Sequence, residues 1–228
     1  MKIKDIYLEK RFPFVSVTIA LLCLAVTIIS QLIPSTYIIF AFTYPVKYPW
    51  QLISYVFLHG IAREFLPADF PYDPMSFAIG HVLFNLLLLL PFGILCEKII
   101  GSTKFFLLTL AAWIVDVACI FAIAISSQSD SFLTAGASGL AFSYMPVGMY
   151  IIISLGKRFG VGKLFKQVTF FLLMPIAILT LLFALSPNIA GVTGVGSMIV
   201  HLLALCVGVL MAFLNRKTIK GYLEAKAQ

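Results

Sequence analysis

Phe77-Ala-Ile-Gly-His81-Val-Leu-Phe-Asn85-Leu-Leu-Leu-Leu-Leu-Pro91-Phe-Gly-Ile-Leu-Cys96 decides the fold. No charged side chain interrupts the run. Its length matches the roughly 20 apolar residues a helix needs to cross the hydrocarbon core of a bilayer. Two polar groups stand inside it. His81 and Asn85 are four residues apart, so on a helix they share a face. Polar side chains at membrane depth are costly, and that face is expected to turn toward protein rather than lipid.

Working outward, five further apolar runs appear, at Phe12–Ile33, Phe105–Ile125, Ala135–Leu155, Thr169–Leu185 and Gly196–Leu214. The whole chain of 228 residues is 61% hydrophobic and 11% charged, with a mean hydropathy of +1.06. A soluble domain carries about a quarter charged residues. Backbone in lipid is satisfied only by helices or closed barrels. The runs are continuous rather than alternating, which excludes a barrel. The expectation is an all-α integral membrane protein, a single membrane domain over residues 1–228 with six spans. The first span follows Lys2, Lys4, Lys10 and Arg11 but is longer than a signal-peptide core and has no small-x-small cleavage site near its end, so it reads as a retained helix.

Charge supplies the orientation. Lys2, Lys4, Lys10 and Arg11 precede the first span, and Lys98 and Lys104 lie between the second and third. Lys157, Arg158, Lys163 and Lys166 lie between the fourth and fifth, and Arg216, Lys217, Lys220 and Lys226 follow the sixth. Only Lys47 and Arg63 fall on the other side. By the positive-inside rule both ends of the chain are expected in the cytoplasm. The net charge of +7 is explained by this asymmetry. No basic stripe interleaved with exposed aromatics suggests nucleic acid. The four cysteines, Cys23, Cys96, Cys119 and Cys206, lie in or beside apolar runs without metal-ligand spacing, and buried free thiols are expected.

Two outer loops stand out. The first, Pro34 to Ser76, is long and rich in proline and aromatics. Its stretch Trp50–Leu58 is apolar but too short to span, and reads as interfacial or sunk into the edge of the bundle. The last, Ser186–Ser197, contains Gly191, Gly194 and Gly196 and reads as a flexible cap.

This topology places four polar groups at one depth. Ser138, in Gly136-Ala137-Ser138-Gly139, opens the fourth span. His201 lies just over one turn into the sixth, and His81 and Asn85 lie near the outer end of the second. A serine hydroxyl is a weak nucleophile until a base takes its proton, and His201 is the candidate base. The Ser138 N–H lies near a helix N-terminus, where amides are unpaired and the dipole favours negative charge. With His81 and Asn85 it is a candidate donor to an oxyanion. No carboxylate is evident to orient His201, so a dyad is expected. Gly136 and Gly139 bracket Ser138, and Gly196, Ala204 and Gly208 line the sixth span, where small residues permit close helix approach. Asp116, in the middle of the third span, is expected to be protonated or hydrogen-bonded inside the bundle.

These residues resemble the rhomboid family of intramembrane serine proteases. The resemblance rests on Trp50, Phe57-Leu58-His59-Gly60, His81-x-x-x-Asn85, Glu97 followed by Gly101, Gly136-Ala137-Ser138-Gly139 and His201, and covers nearly the whole chain. It implies a six-helix bundle with a long first outer loop, Ser138 as nucleophile, His201 as base, and His81 and Asn85 at the oxyanion. It also implies transmembrane proteins as substrates, cut near the outer face. Departures are Gln51 where the family usually has arginine, Val200 and Ala204 around the histidine, Phe142 where tyrosine is frequent, and a longer segment between His59 and His81. His59 and Glu97 read as structural. No metal or other cofactor is expected, the oligomeric state stays open, and a bacterial plasma membrane is the expected location. Two rivals remain: a catalytically silent relative that binds membrane proteins, and a small-solute transporter, for which paired broken helices are lacking.

Overall fold

A computed structural model describes residues 6–8, 10–61, 72–127, 132–185 and 195–226. The Arg63-Glu64 and proline-rich part of the first outer loop and the glycine cap between 186 and 194 lie outside the described residues. So do Lys2 and Lys4.

The long helices are α1 (Phe14–Leu32), α4 (Pro74–Ile100), α5 (Ser102–Ser126), α6 (Ser138–Phe159), α8 (Val168–Leu185) and α9 (Val195–Ala225). Short helices α2 (Thr36–Phe40) and α3 (Gln51–Ser54) lie in the first outer loop, and α7 (Val161–Phe165) follows α6. Among the described residues, five helices, α1, α4, α5, α6 and α9, are long and apolar enough to cross a membrane. Within α8 the described apolar stretch is the shorter Phe170–Thr180. The molecule is an all-α, multi-span bundle, and its apolar helices support an integral-membrane location. Leu21, Leu107, Ile114, Leu179 and Leu210 stand exposed on its flanks, as lipid-facing side chains do.

Local chemistry moves several boundaries away from the apolar runs. Helix α4 starts at Pro74, three residues before the run, because Asp73 caps it: the Ser76 N–H donates to Asp73 Oδ2 at 2.9 Å, and proline suits the first helical position. Helix α6 starts later than Ala135. Gly136 holds φ +135°, a conformation that side-chain-bearing residues rarely adopt, and the helix begins two residues on, at Ser138 itself. Helix α9 runs eleven residues past Leu214. Its buried stripe, Ala204, Gly208, Ala212, Asn215, Ile219 and Leu223, keeps helical spacing across that point, so packing carries the helix on.

Helix α4 occupies the centre and packs on α1, α6 and α8. Its Leu89, Phe92 and Leu95 are fully enclosed. Glu97, also enclosed, accepts the backbone N–H groups of Val15 (3.0 Å) and Ser16 (2.9 Å) and the Ser16 hydroxyl (2.8 Å). A carboxylate thus satisfies the orphan donors of the α1 N-terminus, a structural role. Cys23, Cys96 and Cys119 are buried, but Cys206 is exposed. Its exposure on α9 among the described residues corrects the expectation of burial for this thiol.

The first outer loop folds against the bundle. Tyr55, Val56, Leu58 and His59 are buried while Trp50 and Ile53 stand exposed, so the apolar stretch is sunk into the bundle at its C-terminal end and lies at the surface at its start. A two-stranded ribbon joins this loop to the segment ahead of Ser138: β1 (Phe42–Tyr44) pairs antiparallel with β2 (Phe132–Thr134), Phe42 opposite Thr134. Gln51 is fully buried beneath the loop. Its Oε1 accepts from Thr43 Oγ1 (3.0 Å) and the N–H groups of Lys47 (3.0 Å) and Tyr48 (3.1 Å), and its Nε2 donates to the Ile38 carbonyl at 2.6 Å. Glutamine here satisfies the loop backbone with a neutral amide.

Candidate functional site

The most extensive helix pair is α6 with α9. Their approach depends on Gly208. A Cβ at that position would collide with the Ser143 carbonyl and come within 2.8 Å of Pro146. Without side-chain bulk there, the two helices approach closely, and near their N-terminal ends His201 Nε2 lies 2.9 Å from Ser138 Oγ. The two residues are 63 apart in sequence and face each other across the helix interface. The imidazole also lies flat on the Phe142 ring, one turn beyond Ser138, with centroids 4.3 Å apart and planes 8° from parallel. Phe142 is buried, so stacking holds the imidazole in one orientation.

Two more histidines flank the Gly136-Ala137-Ser138 turn. His81 Nδ1 accepts the Gly60 N–H at 3.3 Å. An accepting Nδ1 carries no proton, so neutral His81 bears its hydrogen on Nε2. That edge of the ring faces Gly136, whose Cβ position lies 3.8 Å from Nε2. The arrangement presents an N–H donor toward the serine turn. Asn85 is buried and its Nδ2 donates to the His81 carbonyl, one turn back in α4, at 3.0 Å. That bond uses one of two amide hydrogens.

His59 is fully buried and acts as a strut. Its Nε2 accepts the Ala137 N–H at 3.2 Å, its Nδ1 lies 3.4 Å from Thr27 Oγ1, and its own N–H donates to the same oxygen at 3.1 Å. Burial first, and then the neighbouring His81, push the His59 imidazole down to about 3. It therefore stays neutral, with Nε2 free to accept. Beside it the Gly136 N–H donates to the Tyr55 carbonyl at 2.9 Å. Both amides ahead of Ser138 are thus tied to the first outer loop.

Asp116 answers the expectation of a hydrogen bond inside the bundle. The Tyr55 hydroxyl donates to its Oδ2 at 2.5 Å. The carboxyl presses on the Cα of Gly139, where a Cβ would overlap it. Gly139 is therefore required by a close approach from α5. Tyr55, Thr27 and the ribbon support the turn without any motif in the sequence to mark them. The only signal for Tyr55 was its place in an apolar stretch too short to span.

Among the described residues, no group of three or more His, Cys, Asp or Glu side chains is arranged to hold a metal ion. The chemistry on offer is that of a hydroxyl and an imidazole in contact, with the His81 ring against the turn that precedes the hydroxyl. A family model described as Rhomboid domain matches residues 75–218, which includes His81, Asn85, Ser138, Phe142 and His201. No curated protein matches the chain.

Proposed function

The chain belongs to the rhomboid family, and from that premise we propose that it is a serine-type endopeptidase that hydrolyses transmembrane segments of other proteins near the outer face of the membrane. The observation that carries the reading is the 2.9 Å contact between Ser138 Oγ and His201 Nε2. His201 takes the hydroxyl proton as Oγ attacks the peptide carbonyl. The oxyanion accepts hydrogen bonds from the Ser138 N–H, His81 Nε2–H and the second Asn85 amide hydrogen. His201 returns its proton to the leaving amine, and water, deprotonated by the same imidazole, releases the acyl group. Phe142, Gly136 and Gly139 shape the turn and hold the base, and no cofactor enters.

In this reading residues 1–228 form one membrane domain of six spans, with α8 as the fifth. Both ends of the chain lie in the cytoplasm of a bacterial cell, on the basic side of the bundle. The partners are transmembrane substrates and the bilayer itself.

The test is a serine-directed fluorophosphonate probe together with a transmembrane substrate, both offered to the protein in vesicles. Wild type is labelled and cleaves. Ser138→Ala and His201→Ala lose cleavage to the same extent as the double variant, since members of one catalytic unit are not additive. Labelling that persists in Ser138→Ala overturns the assignment. Binding of transmembrane segments without labelling or cleavage by wild type points instead to a silent relative.

A further inference from the structure

At the ends farthest from Ser138 and His201, helices α6 and α9 part to leave a cleft of about 550 Å³. Lys157 and Arg158 line it from α6, and Arg216, Lys217 and Lys220 line it from α9. Glu224 is the carboxylate among these lining residues, and it is engaged by Lys220 at 3.8 Å. Arg216 is held in place: its Nη1 donates to the Phe213 carbonyl at 2.9 Å, and its guanidinium lies 3.7 Å over the Phe213 ring. That leaves further guanidinium N–H donors available for another acceptor. Like charges facing each other across the cleft repel. The site described above, at the other end of the same two helices, makes no use of these cations.

The surface beside the cleft narrows the choice of counter-charge. Ile153, one turn before Lys157, is exposed on the same face of α6. Leu210, Phe213 and Leu214, one to two turns before Lys217, are exposed on α9. A free phosphate would satisfy the cations and leave this apolar surface bare. A phosphodiester carrying acyl chains satisfies both, because the charge sits among ammonium and guanidinium donors while the chains lie along the helices. We propose that the cleft binds the headgroup phosphate of an anionic phospholipid, which bridges α6 and α9 and offsets the repulsion between their basic ends.

The experiment uses the full chain and reads bound lipid, so its outcome is independent of proteolysis. Native mass spectrometry is run with phosphatidylglycerol, phosphatidylcholine and inorganic phosphate as separate probes. Wild type is expected to retain phosphatidylglycerol in preference to phosphatidylcholine and to bind no inorganic phosphate. Lys157→Gln combined with Lys217→Gln is expected to weaken phosphatidylglycerol binding about 30-fold, from two lost charges. Lys163→Gln with Lys166→Gln removes equal charge on the same side but outside the cleft and should leave binding unchanged. Equal loss in both pairs, equal retention of phosphatidylcholine, or binding of inorganic phosphate alone overturns the proposal. Should the cleft variant fail to fold, photoactivatable phosphatidylglycerol in phosphatidylcholine vesicles decides the matter on wild type. Labelled peptides containing Lys157 and Lys217 support the site, and labelling confined elsewhere overturns it.

Discussion

The imidazole of His201 lies parallel to the ring of Phe142, 4.3 Å away, on the neighbouring helix. The contact fixes the plane of the ring while Nε2 meets Ser138. An offset ring pair contributes about 0.5–1.5 kcal/mol beyond its buried area. Phe142→Leu is therefore expected to lower kcat by about twofold to tenfold with little change in KM, and Phe142→Tyr to stay near wild type. Steady-state cleavage of a reconstituted substrate checks both.

Gly139 and Asp116 form a steric pair. A Cβ on Gly139 would come within 2.7 Å of Asp116 Cγ. Gly139→Ala is expected to destabilise the bundle by about 1–3 kcal/mol, as overpacking does. Trimming the opposing group with Asp116→Ala should recover part of that loss. Unfolding of the four chains of this cycle in mild detergent gives the coupling, and simple additivity would show that the two groups do not meet.

The His59 strut makes stability depend on acidity. Its imidazole is held at about 3 in the folded protein, against an ordinary value of 6.5. Above pH 6.5 both states are neutral and the strut is intact at no electrostatic cost. As pH falls from 6.5 toward 3, the unfolded chain takes up a proton that the folded one refuses, so stability declines by about 1 kcal/mol per pH unit for this one group. His59→Gln, which keeps an acceptor for the Ala137 N–H, should be less stable at neutral pH yet show a shallower decline. Melting temperatures at pH 7 and pH 5 measure the difference in slope.

Gln51 supports the first outer loop through one buried amide. Gln51→Ala removes four hydrogen bonds that tie Thr43, Lys47, Tyr48 and Ile38 together and leaves their site under the loop empty, each bond to a neutral group contributing about 0.5–1.5 kcal/mol. The loop between α2 and α3 is expected to open locally well before the bundle unfolds. Limited proteolysis should then cut the variant between residues 41 and 50 while wild type resists.

Much of the membrane architecture was written in uncharged runs, because a span must be apolar along its length and nothing else in a chain looks like that. The ends were harder to read. The reach of Asp73 to Ser76, the twist at Gly136 and the stripe through Ile219 and Leu223 set three of them, and each is a local device laid over the hydropathy. Ser138 and His201 stood out as polar groups at one depth, and the structure brings them into contact. The parts that hold their surroundings were not legible. Three-residue strands are too short to show alternation, and Tyr55 meets Asp116 across 61 residues of sequence. Asn85 was legible as a polar group on the face of His81, but its hydrogen bond back into α4 is a rotamer choice that no spacing reveals.

The ribbon, the Tyr55 carbonyl and the His59 ring weld the first outer loop to the residues just ahead of Ser138. Loop and turn therefore move as one piece, and strain applied to either is felt by the other. A polypeptide that levers the loop aside would drag the Ser138 hydroxyl off its imidazole partner, whereas one that slips in without disturbing the loop leaves them aligned. By reciprocity, an occupant of Ser138 whose affinity depends on where the loop sits must bias the loop's position to the same degree.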